Sequence, residues 1–162
     1  DCINGDIFEV VENAVRKYNV PRDLLHLEIV ENILTDRNKK IGEVLDRFRA
    51  AGYEIWMDDF GSGYSSLNVL KALPVSVLKL DGMFFRTAKD DEQAKIVIRN
   101  IIPMAGELKM ATVAEGVETQ ELADLLRLFH CDEAQGYFHA RPMPADDFVA
   151  FCQARLAGEA KR

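Results

Sequence analysis

At five places in this sequence an apolar run ends in charge or amide: Glu28 and Glu31, Asp58 and Asp59, Lys79 and Asp81, Glu115 and Glu118, and Gln135. Glu28, Asp58, Asp59 and Glu115 are hard oxygen donors, and no cysteine ends a strand beside them. Such oxygen-only sets suit magnesium or manganese rather than zinc. Two neighbouring aspartates repel each other and are costly to desolvate unless a cation or hydrogen-bond donors hold them. A pair of this kind can serve two cations, with one carboxylate bridging and its neighbour completing the second site. Paired metals about 3.5–4 Å apart activate water for an in-line phosphoryl displacement. Lys79 lies in "VLKLD" between two inward leucines, where an ammonium could hold the attacking water or balance transition-state charge. One strand-end carboxylate often only caps the next helix; five successive strands delivering polar groups to one rim read as a site. His26, two residues before Glu28, could touch that rim, whereas His130 and His139 read as loop or surface residues.

The elements that must position these groups alternate in period. "DIFEVVENAVRKY" predicts a helix with Ile7, Val11, Ala14, Val15 and Tyr18 inward, and "KKIGEVLDRFRAAG" a second with Ile41, Val44, Leu45 and Phe48 inward and Gly52 as its stop. Strands are predicted at "LHLEIV", "YEIWMDD", "VSVLKLD", "MATVAEG" and, more weakly, "DEAQGYF". Between them lie a long helix that Pro103 should kink or break, a helix capped by Thr119, and a closing helix "PADDFVAFCQARL". One β-then-α unit recurs at each strand start, which predicts parallel strands joined by right-handed crossovers. Ligands collect at the carboxyl edge of such sheets.

Composition bounds the rest. The 162 residues suffice for one domain with a core. Hydrophobic residues at 48% and charged residues at 29% exclude a disordered chain. A net charge of −7 argues against a nucleic-acid polymer but leaves room for a small anion neutralised by metal. Cys2, Cys131 and Cys152 are too scattered for a disulfide framework or a zinc site. No run is long and apolar enough to span a membrane and no signal peptide is visible, which predicts a cytoplasmic location, with any membrane anchor placed upstream. The first residue is Asp1 rather than methionine, so a piece of a longer chain is expected.

The motifs, taken together, resemble the EAL-domain cyclic di-GMP phosphodiesterases. "LHLEIVEN" is similar to that family's Leu-Glu-Ile-Thr-Glu segment, with Val30 where threonine is usual, and "MDDFGSGYSSL" to its Asp-Asp-Phe-Gly stretch. "LPVSVLKLDGMFF", "VAEGVET" and "AQGYFHARPMP" resemble three further motifs in the same order, so the resemblance runs along the whole chain. It implies a TIM-type (β/α) barrel that linearises cyclic di-GMP to pGpG with two Mg2+ or Mn2+ ions, calcium being inhibitory. Glu28 would be a metal ligand, Asp58 the bridging ligand and Asp59 a ligand of the second metal. Lys79 would sit at the catalytic water, Glu115 would be a ligand or base, and Gln135 would bind near the water. Glu31 would anchor the loop from Phe60 to Ser65, which couples the site to a homodimer interface. Gly61, Ser62 and Gly63 would let that loop fold back over the site, and Asp81 is assigned with them to the substrate and loop region.

About five of the eight β/α units are present, so residues 1–162 are expected to be a partial EAL domain. The family's Glu-x-Leu motif, an asparagine ligand and the first barrel strands would lie upstream of residue 1. Such a fragment should present two unpaired parallel edges and an apolar inward face. By itself it should be inactive. The competing readings are an inactive EAL-type domain that binds cyclic di-GMP or a protein partner as a sensor, and an unrelated metal-dependent barrel enzyme.

Overall fold

The computed structural model describes residues 6–30, 39–61, 70, 73–86 and 91–159. Helix α1 (Ile7–Tyr18) is followed by a 3-10 turn (Arg22–Leu24) and strand β1 (His26–Val30). Then come α2 (Lys39–Ala50), β2 (Glu54–Phe60), β3 (Val77–Leu80), the single-turn helix α3 (Met83–Arg86) and α4 (Glu92–Glu107). The chain closes with β4 (Ala111–Ala114), α5 (Gln120–Leu128), β5 (Glu133–Ala134) and α6 (Ala145–Glu159). The five strands form one parallel sheet in sequential order, β1-β2-β3-β4-β5, as consecutive right-handed β/α units of a barrel do.

Strand alternation divides the sheet into two unlike faces. Ile29, Ile55, Met57, Leu78, Leu80 and Ala114 point to the helices and form the core with Leu45, Ile98, Ile102 and Leu126. Ile55, Met57 and Leu78 are fully enclosed. Burial of a side chain of this size contributes about 1.5–3 kcal/mol. The opposite face carries His26, Glu28, Glu54 and Trp56 toward β1, with Val77 and Val113 in its middle. The inward face is therefore mixed rather than wholly apolar: Trp56, Val77 and Val113 share it with His26, Glu28 and Glu54. It is the floor beneath a charged rim.

Local signals account for most helix ends. Asp6 caps α1 by accepting from the Glu9 N–H, Asp91 caps α4, and Thr119 caps α5 by accepting from the Leu122 N–H, as its sequence predicts. Gly52, at φ +93, ends α2 in the left-handed region. Pro103 does not break α4, which runs unbroken from Glu92 to Glu107. It lies on the exposed side of the helix, where the hydrogen bond that proline removes costs least because solvent can replace it.

The inward face of α1 is rotated from the expected one. Tyr18 is 68% exposed and Ala14 is exposed, while Phe8 and Glu12 turn inward beside Val11 and Val15. Glu12 is buried because it is fully partnered: Arg22 donates from Nε (2.9 Å) and Nη2 (2.8 Å), Tyr53 from its hydroxyl (2.7 Å) and Arg16 from Nη2 (3.2 Å). The Arg22 hydrogen bonds, then that of Tyr53, hold its carboxyl down to about 2. Strand β5 is shorter than expected, since the chain turns away after Ala134.

Candidate metal centre

Strands β2 and β3 pair in regular register through Met57 and Leu78, then resume at Phe60 and Leu80. Two residues of β2, Asp58 and Asp59, thus face one residue of β3, Lys79. That is a β-bulge, and Asp59 takes up the extra length at φ +56. Aspartate tolerates the left-handed region better than most residues. In a regular strand neighbouring side chains would point to opposite faces. The bulge instead brings both aspartates to the same rim.

Lys79 is the hub of that rim. Its side chain is 8% exposed, and Nζ lies 2.8 Å from Asp58 Oδ1, 2.9 Å from Glu115 Oε1 and 2.9 Å from Glu28 Oε1. Burial works to lower its pKa, but the close carboxylates of Asp58, Glu115 and Glu28 outweigh it, so the ammonium titrates above its ordinary value. Toward Glu28 the contact is a directed hydrogen bond. Toward Asp58 it is a charge contact only: Asp58 Oδ1 is buried and no donor aligns with it as a hydrogen bond. A buried carboxylate oxygen held by charge without an aligned donor is suited to a cation.

Asp58, Asp59 and Glu115 each offer a carboxylate oxygen within 4.8 Å of the others, and all three side chains are partly buried. Glu28 stands outside that group of three but shares Lys79 with Asp58 and Glu115. That excess of negative charge and the all-oxygen donor set fit divalent cations such as magnesium, manganese or calcium.

The other expected residues fall out as follows. Gln135 lies at the same rim, its N–H donating to the Ala114 carbonyl (2.8 Å) and its carbonyl accepting from Val117 (3.0 Å). The Asp81 carboxylate accepts from the Met83 N–H and so caps α3. Gly61, at φ +92, is packed under Phe84 so closely that a Cβ there would overlap the ring. Glu31, Ser62 and Gly63, and with them most of the loop from Phe60 to Ser65, lie outside the described residues. Glu118 is exposed and forms no part of the charge cluster around Lys79. His26 is at the start of β1, the end remote from the rim, where it stacks on Trp56 (4.3 Å between centroids). Its two-residue spacing from Glu28 places it one layer lower on the same face. His139 lies in a turn, as expected of a loop residue, but it is partly buried and its Nε2 is enclosed.

Two supporting features escape a reading of the sequence. Asp132 Oδ2 accepts from both the N–H and the hydroxyl of Thr112 (2.8 Å each), tying β5 to β4 beneath Glu115 and Gln135. Gly136 lies against the backbone of Val117, with no room for a Cβ. Only the "AQG" step after a strand hints at such a close approach.

The EAL domain family profile matches residues 3–142. Over 143 residues the chain is 39% identical to cyclic di-GMP phosphodiesterase PA2567 of Pseudomonas aeruginosa, covering 88% of this chain and 24% of that protein. It spans only 18–24% of the length of the first curated relatives it matches. Among solved structures, PaMucR phosphodiesterase in its c-di-GMP complex superposes with a TM-score of 0.83 at 33% identity, covering 90% of this chain and 59% of that one. A Klebsiella pneumoniae BlrP1 complex with manganese and cy-diGMP gives a TM-score of 0.80 at 25% identity, covering 86% of this chain and 36% of that one.

Proposed function

The chain belongs to the EAL domain family, and from that premise we propose that its protein hydrolyses cyclic di-GMP to linear pGpG with two Mg2+ or Mn2+ ions. The observation that carries this reading is the bulge that sets Asp58 and Asp59 on one rim, within 4.8 Å of Glu115 and around a buried lysine. In the proposal Asp58 would be shared between the ions, Asp59 and Glu28 would help hold them, and Glu115 would serve as ligand or base. Bound there, the ions would neutralise the phosphodiester and make water acidic enough to act as a nucleophile near neutral pH.

Lys79 holds the attacking water and balances charge on the phosphoryl oxygens. Gln135 orients the same water from the β5 edge, and Asp81 fixes the turn that carries β3 away from the site. Water adds to phosphorus, the P–O3′ bond breaks, and the proton lost by water ends on the leaving oxygen. Residues 1–162 supply five β/α units of the barrel, and the remaining ligands come from outside them. Glu31 and the Gly61–Ser62–Gly63 segment are assigned to the loop that couples the site to a homodimer. No helix among the described residues is long and apolar enough to cross a membrane.

The test is hydrolysis of cyclic di-GMP by the whole protein in magnesium, manganese, calcium or excess chelator. Turnover in the first two and its loss in the last two are expected, because calcium takes more ligands at longer bonds. Binding of cyclic di-GMP without turnover in either magnesium or manganese would replace the enzyme with the sensor reading.

A further inference from the structure

On the open face of the sheet, Glu28 is level with Trp56, not with Asp58, which is level with Val30. Two residues along a strand span about 6.5 Å. The Glu28 carboxylate must therefore lean up by one layer to reach Lys79, and it does so at 2.9 Å. Its side chain is 49% exposed, against 21% for Asp58 and 22% for Glu115. Repulsion from Asp58 and Glu115, which share Lys79 with it, opposes that raised position and favours rotamers directed away from the rim.

Across from Glu28 and below it on the same face stand Trp56 and His26. The Trp56 indole N–H donates to Glu54 Oε2 (3.1 Å), and His26 stacks on its ring with the planes 17° apart. Trp56 is thus fixed at its edge and on one face, directly across from Glu28 and two residues before Asp58.

We infer that Trp56 is a positioning residue for the metal centre: held by Glu54 and His26, its indole is a floor that keeps the Glu28 carboxylate raised toward Lys79 and the cations. The inference rests on the proposed metal centre but not on its substrate. Removing the ring opens lower rotamers to Glu28, so a ligand that is otherwise preset must be ordered when the cation binds.

The test is a double-mutant cycle on Mn2+ affinity, measured by calorimetry on the whole protein without substrate. Trp56→Ala and Glu28→Ala should each weaken Mn2+ binding about tenfold or more, Trp56→Phe by no more than about threefold. In the Glu28→Ala background, Trp56→Ala should cost nothing further. Equal losses in both backgrounds would show that Trp56 acts through the fold at large, and an unchanged affinity for Trp56→Ala alone would also overturn the inference. If the alanine variant does not fold, Trp56→Leu takes its place in the same cycle and is read in the same way. Mn2+ binding with this coupling but no hydrolysis of cyclic di-GMP would refute the proposed function and leave the inference standing.

Discussion

Asp58 and Asp59 are consecutive residues of one strand, yet both carboxylates reach the same rim, because the β2 bulge sets the pair against Lys79 alone. The arrangement has a conformational cost, since Asp59 is held at φ +56. Asp59→Gly should stabilise the metal-free protein by roughly 1 kcal/mol, the left-handed region being free to glycine. The same change should remove metal-dependent turnover. Thermal melts in chelator and hydrolysis in manganese test the two halves, and a destabilised glycine variant would show that the strain is absent.

Lys79 and Asp58 should respond to mutation in opposite ways. As a strand-end catalytic residue alone, Lys79 ought to be removable at little cost to stability. Its three carboxylate contacts argue otherwise. Lys79→Ala leaves them mutually repelling and should cost roughly 1–3 kcal/mol in the metal-free protein, below the fully buried case because the carboxylates are partly solvated. Added Mn2+ should restore much of the loss. Asp58→Asn relieves repulsion and should leave the metal-free melting temperature unchanged or raised, while turnover falls about a thousandfold or more. A metal-free melting temperature unmoved by Lys79→Ala would contradict this account.

Gly136→Ala should destabilise the protein by at least about 2 kcal/mol. The new Cβ would overlap the Val117 carbonyl oxygen and nitrogen, and backbone cannot step aside as a flexible side chain can. Gln135, bonded to the same Val117, should be displaced and turnover reduced. Unfolding in urea together with steady-state kinetics would show whether both effects appear.

Acid should act on the Glu12 cluster over a defined range. The carboxyl is held down to about 2 from an ordinary value near 4.5, so its ion pairs contribute fully above pH 4.5. That contribution is lost as pH falls from there toward 2. Glu12→Gln should melt several degrees lower at neutral pH and lose less stability on acidification. Melting curves of both proteins between pH 2 and 7 compare the slopes; parallel curves would remove Glu12 from the acid response.

The fold class and the acidic make-up of the rim were legible in the sequence. Alternating two- and 3.6-residue periods dictate parallel strands and covering helices, and the strand ends at Glu28, Asp58, Lys79, Glu115 and Gln135 lie on one edge by topology alone. The donor types alone exclude a thiolate site. Period counting, however, leaves Glu12 off the inward face of α1 and puts Tyr18 on it, and although donor chemistry groups Asp58 with Asp59, it does not show how two consecutive residues reach one rim. Those gaps share a cause: a local pattern records which residues are apolar, not what stands opposite. Only the register between β2 and β3 reveals the inserted residue, and only the meeting of Arg22 and Tyr53 over α1 makes a buried glutamate tolerable. The same holds for Trp56, whose sequence reads as strand filler and whose place beside Glu28 comes from the pairing of β1 with β2.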